Sequence, residues 1–159
     1  MLTLAQRIVL VILRTLIGWH FLYEGYFKLI RPAWARTGAP LETWTSASYL
    51  RGATGPFAGI FHSLGESAWI GWFDIGIASA LVLVGLALML GIFTRTACAG
   101  AFVLLTLFYL SAMPMSGLPE PRSEGAYLLV NKNLIEAAAV LVVMTFHAPG
   151  RARWTHAHA

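Results

Sequence analysis

Apolar residues fill four long stretches of the chain, and more polar segments separate them. The stretches cover residues 8–30, 70–92, 96–112 and 128–147. A helix needs about 20 predominantly apolar residues to cross the hydrocarbon core of a bilayer. The pattern therefore predicts an all-α integral membrane protein, in which four transmembrane helices form one bundle and residues 1–159 make one membrane domain.

The links between the predicted spans differ greatly in length. Residues 93–95 join the second span to the third, so these two helices must be antiparallel neighbours. Residues 31–69 form a long first loop, in which the pattern over 56–64 is typical of a short helix with Pro near its start and Gly65 after its end. We expect this segment, together with 41–50, to form short interfacial helices along the membrane surface.

The composition of two spans predicts how they pack. The second span is rich in glycine and alanine, and small residues let transmembrane backbones approach closely. The third span, residues 96–112, contains no charged side chain. We therefore expect close packing around the second span and a lipid-exposed position for the third.

The overall composition excludes several classes of protein. Apolar residues make up 58% of the chain and charged residues only 11%, whereas soluble domains have about 25% charged residues. The net charge of +4 is spread along the chain without a basic face, so membrane lipid and not nucleic acid is the expected surrounding. A single cysteine, Cys98, excludes an internal disulfide or a thiol relay within the chain.

The arginines near the predicted spans bear on orientation. Four of them fall on each side of the membrane: Arg7, Arg95, Arg151 and Arg153 on one side, and Arg31, Arg36, Arg51 and Arg122 on the other. The count alone does not decide the orientation. Because short links weigh more than the long first loop, we expect both termini in the cytoplasm.

Ionisable and amide side chains inside the apolar stretches are the candidates for a site. They are Arg14, His20, Glu24 and Lys28 in the first span, Asp74 near the start of the second, and Asn131, Lys132, Asn133 and Glu136 at the start of the fourth. A charge near the bilayer centre costs roughly 2.5–3.5 kcal/mol on insertion scales, so it normally faces a partner or a cavity.

The predicted topology brings most of these groups to one level. Helical periodicity places Arg14 and Lys28 on one stripe of the first span, with His20 and Glu24 beside it. The end of the first span and the starts of the second and fourth lie at the same membrane face. We therefore expect a polar cluster inside the bundle, in the outer half of the membrane, with Arg14 deeper and reaching it from below.

Two interpretations of this cluster remain open. In the structural one, the i,i+4 pairs Glu24–Lys28 and Lys132–Glu136 simply neutralise each other. In the functional one, the number of buried charges and the aromatic first loop beside them form a site for an amphipathic ligand. Neither interpretation involves a metal: zinc-ligand spacing is absent, and His20 and His147 lie at different depths, which argues against a haem between them.

Three segments resemble one family. Helix 1 runs Arg-Thr-Leu-Ile-Gly-Trp-His-Phe-Leu-Tyr-Glu-Gly-Tyr-Phe-Lys-Leu over residues 14–29, a Gly-Ile-Phe-Thr-Arg turn follows the second span at 91–95, and the fourth span opens with Asn-Lys-Asn-Leu-Ile-Glu at 131–136. Together they resemble the DoxX/DoxD family of four-helix bacterial membrane proteins. The resemblance implies a multi-pass protein of the bacterial cytoplasmic (inner) membrane.

The DoxD branch of that family is the small membrane subunit of thiosulfate:quinone oxidoreductase. The resemblance therefore implies oxidation of thiosulfate to tetrathionate, with the electrons passed to a membrane quinone whose head group enters between the first and fourth spans. On this hypothesis Lys28 or Lys132 stabilises negative charge and Glu24 or Glu136 moves protons. The residues expected to hold the quinone are Arg14, His20, Asp74, Asn131 and Asn133.

The sequence shows no evident redox centre, so electrons would pass directly from the substrate or through a second redox subunit. An alternative function is that of a non-catalytic membrane adaptor, an accessory subunit of a larger respiratory or redox complex. A homo-oligomer is compatible with either. Transport of a small solute or of protons is a weaker alternative, because four helices leave little room for a pathway.

Overall fold

The structure is a computed structural model that describes residues 2–30, 44–113 and 129–146. Over these ranges the regular secondary structure is helical, as the apolar pattern predicts. The helices are α1 (Leu4–Ile30), α2 (Ala47–Arg51), α3 (Ala58–Gly65), α4 (Ile70–Leu90), α5 (Thr94–Ser111) and α6 (Lys132–Phe146).

Three of the helices, α1, α4 and α5, are long and apolar enough to cross a membrane. Large apolar side chains such as Leu16, Trp72 and Leu83 are exposed on α1 and α4, as lipid-facing residues of a multi-pass membrane protein are. Helix α6 has 15 described residues, which is about 22 Å of helix and less than the roughly 30 Å of the hydrocarbon core.

The predicted short helices of the first loop correspond to α2 and α3, each shifted by a few residues from its expected position. Parts of several expectations lie outside the described residues. These are loop residues 31–43, residues 114–128, His147, and five of the counted arginines: Arg31, Arg36, Arg122, Arg151 and Arg153.

Glycines bring α1 and α4 into direct backbone contact. A Cβ added to Gly85 of α4 would lie 2.5 Å from the backbone nitrogen of Leu22 and 2.7 Å from the carbonyl oxygen of Gly18. Glycine is therefore required here by the neighbouring backbone. The expected close packing of small residues is confirmed at this crossing but not at Gly76, beside which a Cβ would meet nothing within 4 Å.

The turn between α4 and α5 is as tight as the sequence predicts. Gly91 ends α4 with a left-handed backbone (φ 73°), and Phe93 precedes α5 with φ 47°. A Cβ at Gly91 would also lie 2.3 Å from Nη1 of Arg14, but this flexible side-chain end can move, so glycine is favoured here by the left-handed backbone. The turn makes α4 and α5 packed neighbours.

The expectation that the third span is lipid-exposed holds for one face of α5 only, where Val103 and Leu107 are exposed. Helix α5 packs against both α4 and α6, and a larger share of it is buried than of α1 or α4. Its buried face includes Ala97, Cys98, Ala101, Leu104 and Leu105. A helix without charges suits the apolar interior of a bundle as well as it suits lipid, and the small residues of α5 allow two helices to pack on it.

The backbone contact at Gly85 predicts that a glycine-to-alanine substitution is destabilising at this position but not at Gly76 on the same helix. Substituting Gly85→Ala forces backbone against backbone, so we expect it to lower the free energy of unfolding by about 1–3 kcal/mol. The matched control, Gly76→Ala on the same helix, should leave stability unchanged or slightly raised. Unfolding of the purified protein in mixed micelles, followed by circular dichroism, measures both. Equal stability of the two variants would contradict the close α1–α4 crossing.

Candidate ligand-binding site

A cavity of about 710 Å³ lies where α1 and α5 end and α4 and α6 begin. Its volume is in the range of sites that hold drug-sized or cofactor-sized molecules, roughly 300–1,000 Å³. Helices α1, α4 and α5 and the start of α6 form its walls. Helices α2 and α3 and the residues around them form a cover, which we call the roof (residues 44–65).

Most of the cavity wall is apolar. Aromatic and aliphatic side chains come from all three long helices and from the roof, and they include Phe21, Phe61, Phe73, Leu81, Leu105 and Phe108. In and just before α3, four apolar side chains recur at helical spacing and line this cavity, namely Phe57, Ile60, Phe61 and Leu64. The roof thus contributes an apolar inner surface, which suits the hydrophobic part of an amphipathic ligand.

A buried carboxylate ties the roof to α4. Asp74 is only 7% exposed, and its Oδ1 accepts hydrogen bonds from the backbone N–H of Ser46 at 3.1 Å and from the Ser46 hydroxyl. Ser46 lines the cavity, whereas Asp74 lies behind it. Asp74 was expected to hold a quinone, but both donors to its Oδ1 come from the roof. It therefore anchors the roof to α4.

Further hydrogen bonds join the roof to the end of α5. The Tyr49 hydroxyl donates to the carbonyl oxygen of Phe108 at 3.3 Å and accepts from the Ser111 hydroxyl at 3.2 Å. Burial raises the pKa of Tyr49, and the bond from Ser111 offsets only part of that rise, so this phenol stays protonated and able to donate. The Thr54 hydroxyl donates to the carbonyl oxygen of Met113 at 3.1 Å.

An ion pair or hydrogen bond crosses between α1 and α6 beside the cavity. Nδ1 of His20 lies 2.7 Å from Oε1 of Glu136, and the Glu136 side chain is only 13% exposed. The local Lys132–Glu136 pair of the structural interpretation is therefore not formed, because the partner of Glu136 is on another helix. Packing of α6 on α1 brings His20 within reach of Glu136. The tertiary structure therefore determines that Glu136 pairs across helices and not along α6.

The other i,i+4 pair of the structural interpretation, Glu24–Lys28, is formed. Lys28 donates to Glu24 one turn earlier on α1, and its ammonium group lies 5.3 Å from the ring centroid of Trp44 in the roof. Lys132 and His20 lie near enough to Glu24 to interact electrostatically with its carboxylate. Except for Glu136, all of these side chains line the cavity, so its polar side is built from α1, α6 and the roof.

The residues at the start of α6 also face the cavity. Asn131, Lys132 and Asn133 line it, and Asn131 has no exposed surface at all. The side-chain oxygen of Asn131 accepts the backbone N–H of Leu134 at 3.1 Å, so this residue caps α6. Asparagine before an apolar run is a recognisable N-cap signal in the sequence.

Arg14 lies apart from this group. Its guanidinium packs against Gly91 at the carboxyl end of α4, where the helix dipole favours a cation. Ten residues of α1, or about 15 Å, separate it from Glu24. The expectation that Arg14 reaches the polar cluster from below is therefore wrong in its geometry.

Ser46 and Tyr49 are roof residues of the site that the sequence pattern did not predict. Serine and tyrosine in a polar loop carry no pattern that distinguishes an anchor from a solvated side chain. Only the fold, which lays the roof across the ends of α4 and α5, brings them to Asp74 and Phe108.

The Asp74–Ser46 contact predicts which single change loosens the roof. Substituting Asp74→Ala leaves the buried Ser46 donors without an acceptor, at a cost of about 1–3 kcal/mol. We expect backbone hydrogen exchange in residues 46–52 to accelerate about tenfold or more, which mass spectrometry of deuterated peptides measures. The control, Glu66→Ala, removes an exposed carboxylate and should change nothing. If exchange in the roof is the same in both variants, the anchor is not what holds it.

Comparisons with protein-family models, with curated proteins and with solved structures found no match for this chain. The resemblance to the DoxX/DoxD family therefore remains an expectation from three motifs, and the functional argument that follows is built on the cavity.

Proposed function

We propose that this chain is the membrane subunit of a quinone-linked oxidoreductase and that the cavity receives the head group of a membrane quinone. The observation that carries the proposal is the His20–Glu136 pair at the polar side of a largely apolar cavity of about 710 Å³. An apolar chamber with a few convergent polar groups is the usual form of a cofactor site.

The residues fit the shape and polarity of a quinone. The aromatic and aliphatic wall suits the ring and the first part of a prenyl tail, while the side chains of α1 and α6 supply polar groups on one side. A quinone takes up electrons together with protons when it is reduced, so its site needs a group that can transfer protons.

His20 is the residue best placed to transfer a proton. Because Glu136 engages Nδ1, the ring is held in one orientation and Nε2 is the nitrogen left for the cavity that His20 lines. A histidine oriented by a carboxylate is a recurring form of general acid or base. Glu136, which the sequence placed as a proton carrier, is on this proposal a positioning residue that acts through His20.

Lys132 is the cation best placed to stabilise negative charge at the head group. It lines the cavity, and it forms no salt bridge with any side chain in the described parts of the chain. Lys28 is engaged by Glu24 and lies near Trp44, so both partners of that pair are held in place. Because Lys28 is already paired with Glu24, Lys132 is the better candidate of the two lysines to stabilise negative charge on the head group.

The membrane arrangement we propose has four spans, with α6 as the fourth. Helix α6 packs on α5 and α1, and its outward side chains Ile135, Leu141, Val142 and Phe146 are apolar and exposed. With the orientation expected from the arginines near the short links, both termini lie on the cytoplasmic side on this proposal, and the cavity lies in the outer half of the bacterial inner membrane.

Thiosulfate is the electron donor that the DoxD resemblance implies. Two thiosulfate ions would lose two electrons as a sulfur–sulfur bond forms between them, giving tetrathionate, and the quinone would take up those electrons with two protons. A second redox subunit in the same membrane complex is the expected partner for this transfer.

One observation favours a second candidate, the non-catalytic adaptor. The carboxylates of Glu24, Glu136 and Asp74 each have a partner within the protein, so these charges could serve the packing of the bundle alone. Binding of quinone and the effect of Glu136 on turnover separate this candidate from the first.

The proposal predicts bound quinone and a proton-transfer defect. Purified protein should release quinone on solvent extraction and should bind decylubiquinone with quenching of tryptophan fluorescence, because Trp44 lines the cavity. In membranes supplied with thiosulfate, Glu136→Gln should lower quinone reduction by about 100-fold or more with binding nearly unchanged, the range expected for loss of general acid–base catalysis. Lys132→Met should lower it as well, with the fold retained.

The matched control is Glu66→Gln, which makes the same change at an exposed glutamate outside the cavity and should retain full activity. Full turnover in both Glu136→Gln and Lys132→Met would contradict the catalytic proposal. Quinone binding without thiosulfate-driven turnover would reject thiosulfate as donor and keep the quinone site. Absence of quinone binding, with stable co-purification of a larger complex, would support the adaptor.

A further inference from the structure

Asn131 presents an amide group that no described part of the chain satisfies. The residue has no exposed surface, and its Nδ2 has no hydrogen-bond partner among residues 2–30, 44–113 and 129–146. Buried side-chain amides are almost always hydrogen-bonded, so an exception calls for an explanation. The cavity supplies one, because Asn131 is among the residues that line it.

The orientation of this amide is set by the cap of α6. Its Oδ1 accepts the N–H of Leu134 at 3.1 Å, and a flipped amide would place two donors against that N–H. Asn131 therefore keeps its oxygen on the helix and its NH2 group away from it. The group left over can only donate.

The carboxylates around the cavity are engaged, in contrast to this donor. Glu24 binds Lys28, Glu136 binds His20, and Asp74 binds Ser46. His20 can donate or accept at Nε2, depending on its protonation, whereas Asn131 has no such choice. The Asn131 amide is thus a group of the site that can act only as a hydrogen-bond donor, and the nearby Lys132 ammonium group adds a positive charge.

We propose that the Asn131 amide donates a hydrogen bond to an acceptor oxygen on the head group of the cavity's ligand. This inference deepens the proposed function. For a quinone it means that the site favours the oxidised form, because a ring carbonyl only accepts hydrogen bonds, whereas a quinol hydroxyl must also place its own proton. The same acceptor chemistry exists in the phosphate and ester oxygens of a phospholipid head group.

The chain is well suited to a direct test, because Asn131 and Asn133 are its only asparagines. Protein labelled with ¹⁵N-asparagine in detergent micelles shows two side-chain NH2 groups by nuclear magnetic resonance, and Asn133→Gln assigns them. We expect decylubiquinone to shift the Asn131 group, and decylubiquinol to shift it less at the same concentration. Phosphatidylglycerol, added separately, tests the lipid source.

A matched pair of variants separates the donor from the helix cap. Asn131→Ser retains a cap oxygen but ends at the γ position, one bond short of Nδ2, whereas Asn131→Ala removes both the cap and the donor. We expect both to weaken decylubiquinone binding by about tenfold, the effect of losing one buried hydrogen bond, and only Asn131→Ala to lower the thermal stability.

The outcomes distinguish this inference from the proposed function. Wild-type affinity in Asn131→Ser, or quinone binding that leaves the Asn131 signal unmoved, overturns the inference while the quinone site stands. A shift with phosphatidylglycerol alone keeps Asn131 as a head-group donor and rejects the quinone. If none of the three probes moves the Asn131 signal, the inference is wrong.

Discussion

The candidate site depends on one constraint, that an ionisable side chain in an apolar bundle must find its partner inside the protein. Glu136, 13% exposed on α6, meets it through His20 on α1, and this contact joins the first and last described helices beside the cavity. Leaving a buried charge without its partner costs several kcal/mol, so the pair has a structural value whatever its chemistry. It also orients the imidazole, and from that orientation the proposed proton transfer follows.

Two other features make that contact possible. Backbone contact at Gly18 and Gly85 sets how α1 lies on α4, and so determines that the polar side of α1 faces α6 and the roof. The roof is then held across the helix ends by Asp74 and Tyr49. Neither feature takes part in electron transfer. A protein with the same fold could therefore bind a different head group through changes only in α1 and at the start of α6.

Much of the fold follows from apolar periodicity alone, since long apolar runs and the Gly91 turn are local signals. The polar residues on α1 and α6 were also predicted as one cluster, because topology brings the end of one helix to the start of the other. What local signals could not supply was pairing. An i,i+4 spacing favours Lys132 for Glu136 and is overridden by the packing of α6 on α1. Likewise, an uncharged α5 is equally compatible with lipid and with the interior, and a loop serine such as Ser46 has no mark of an anchor.

The central claim, that a quinone head group lies between α1 and the start of α6 beneath the roof, is tested most directly by photoaffinity labelling. Full-length protein in lipid nanodiscs is illuminated with a ubiquinone analogue that carries an azido group on its ring, and the labelled peptides are mapped by mass spectrometry. The account predicts labels in residues 20–28, 44–64 and 131–133, suppressed by excess decylubiquinone. Labels confined to outward, lipid-facing residues such as Trp72 and Leu83 of α4, and unaffected by the competitor, would contradict it.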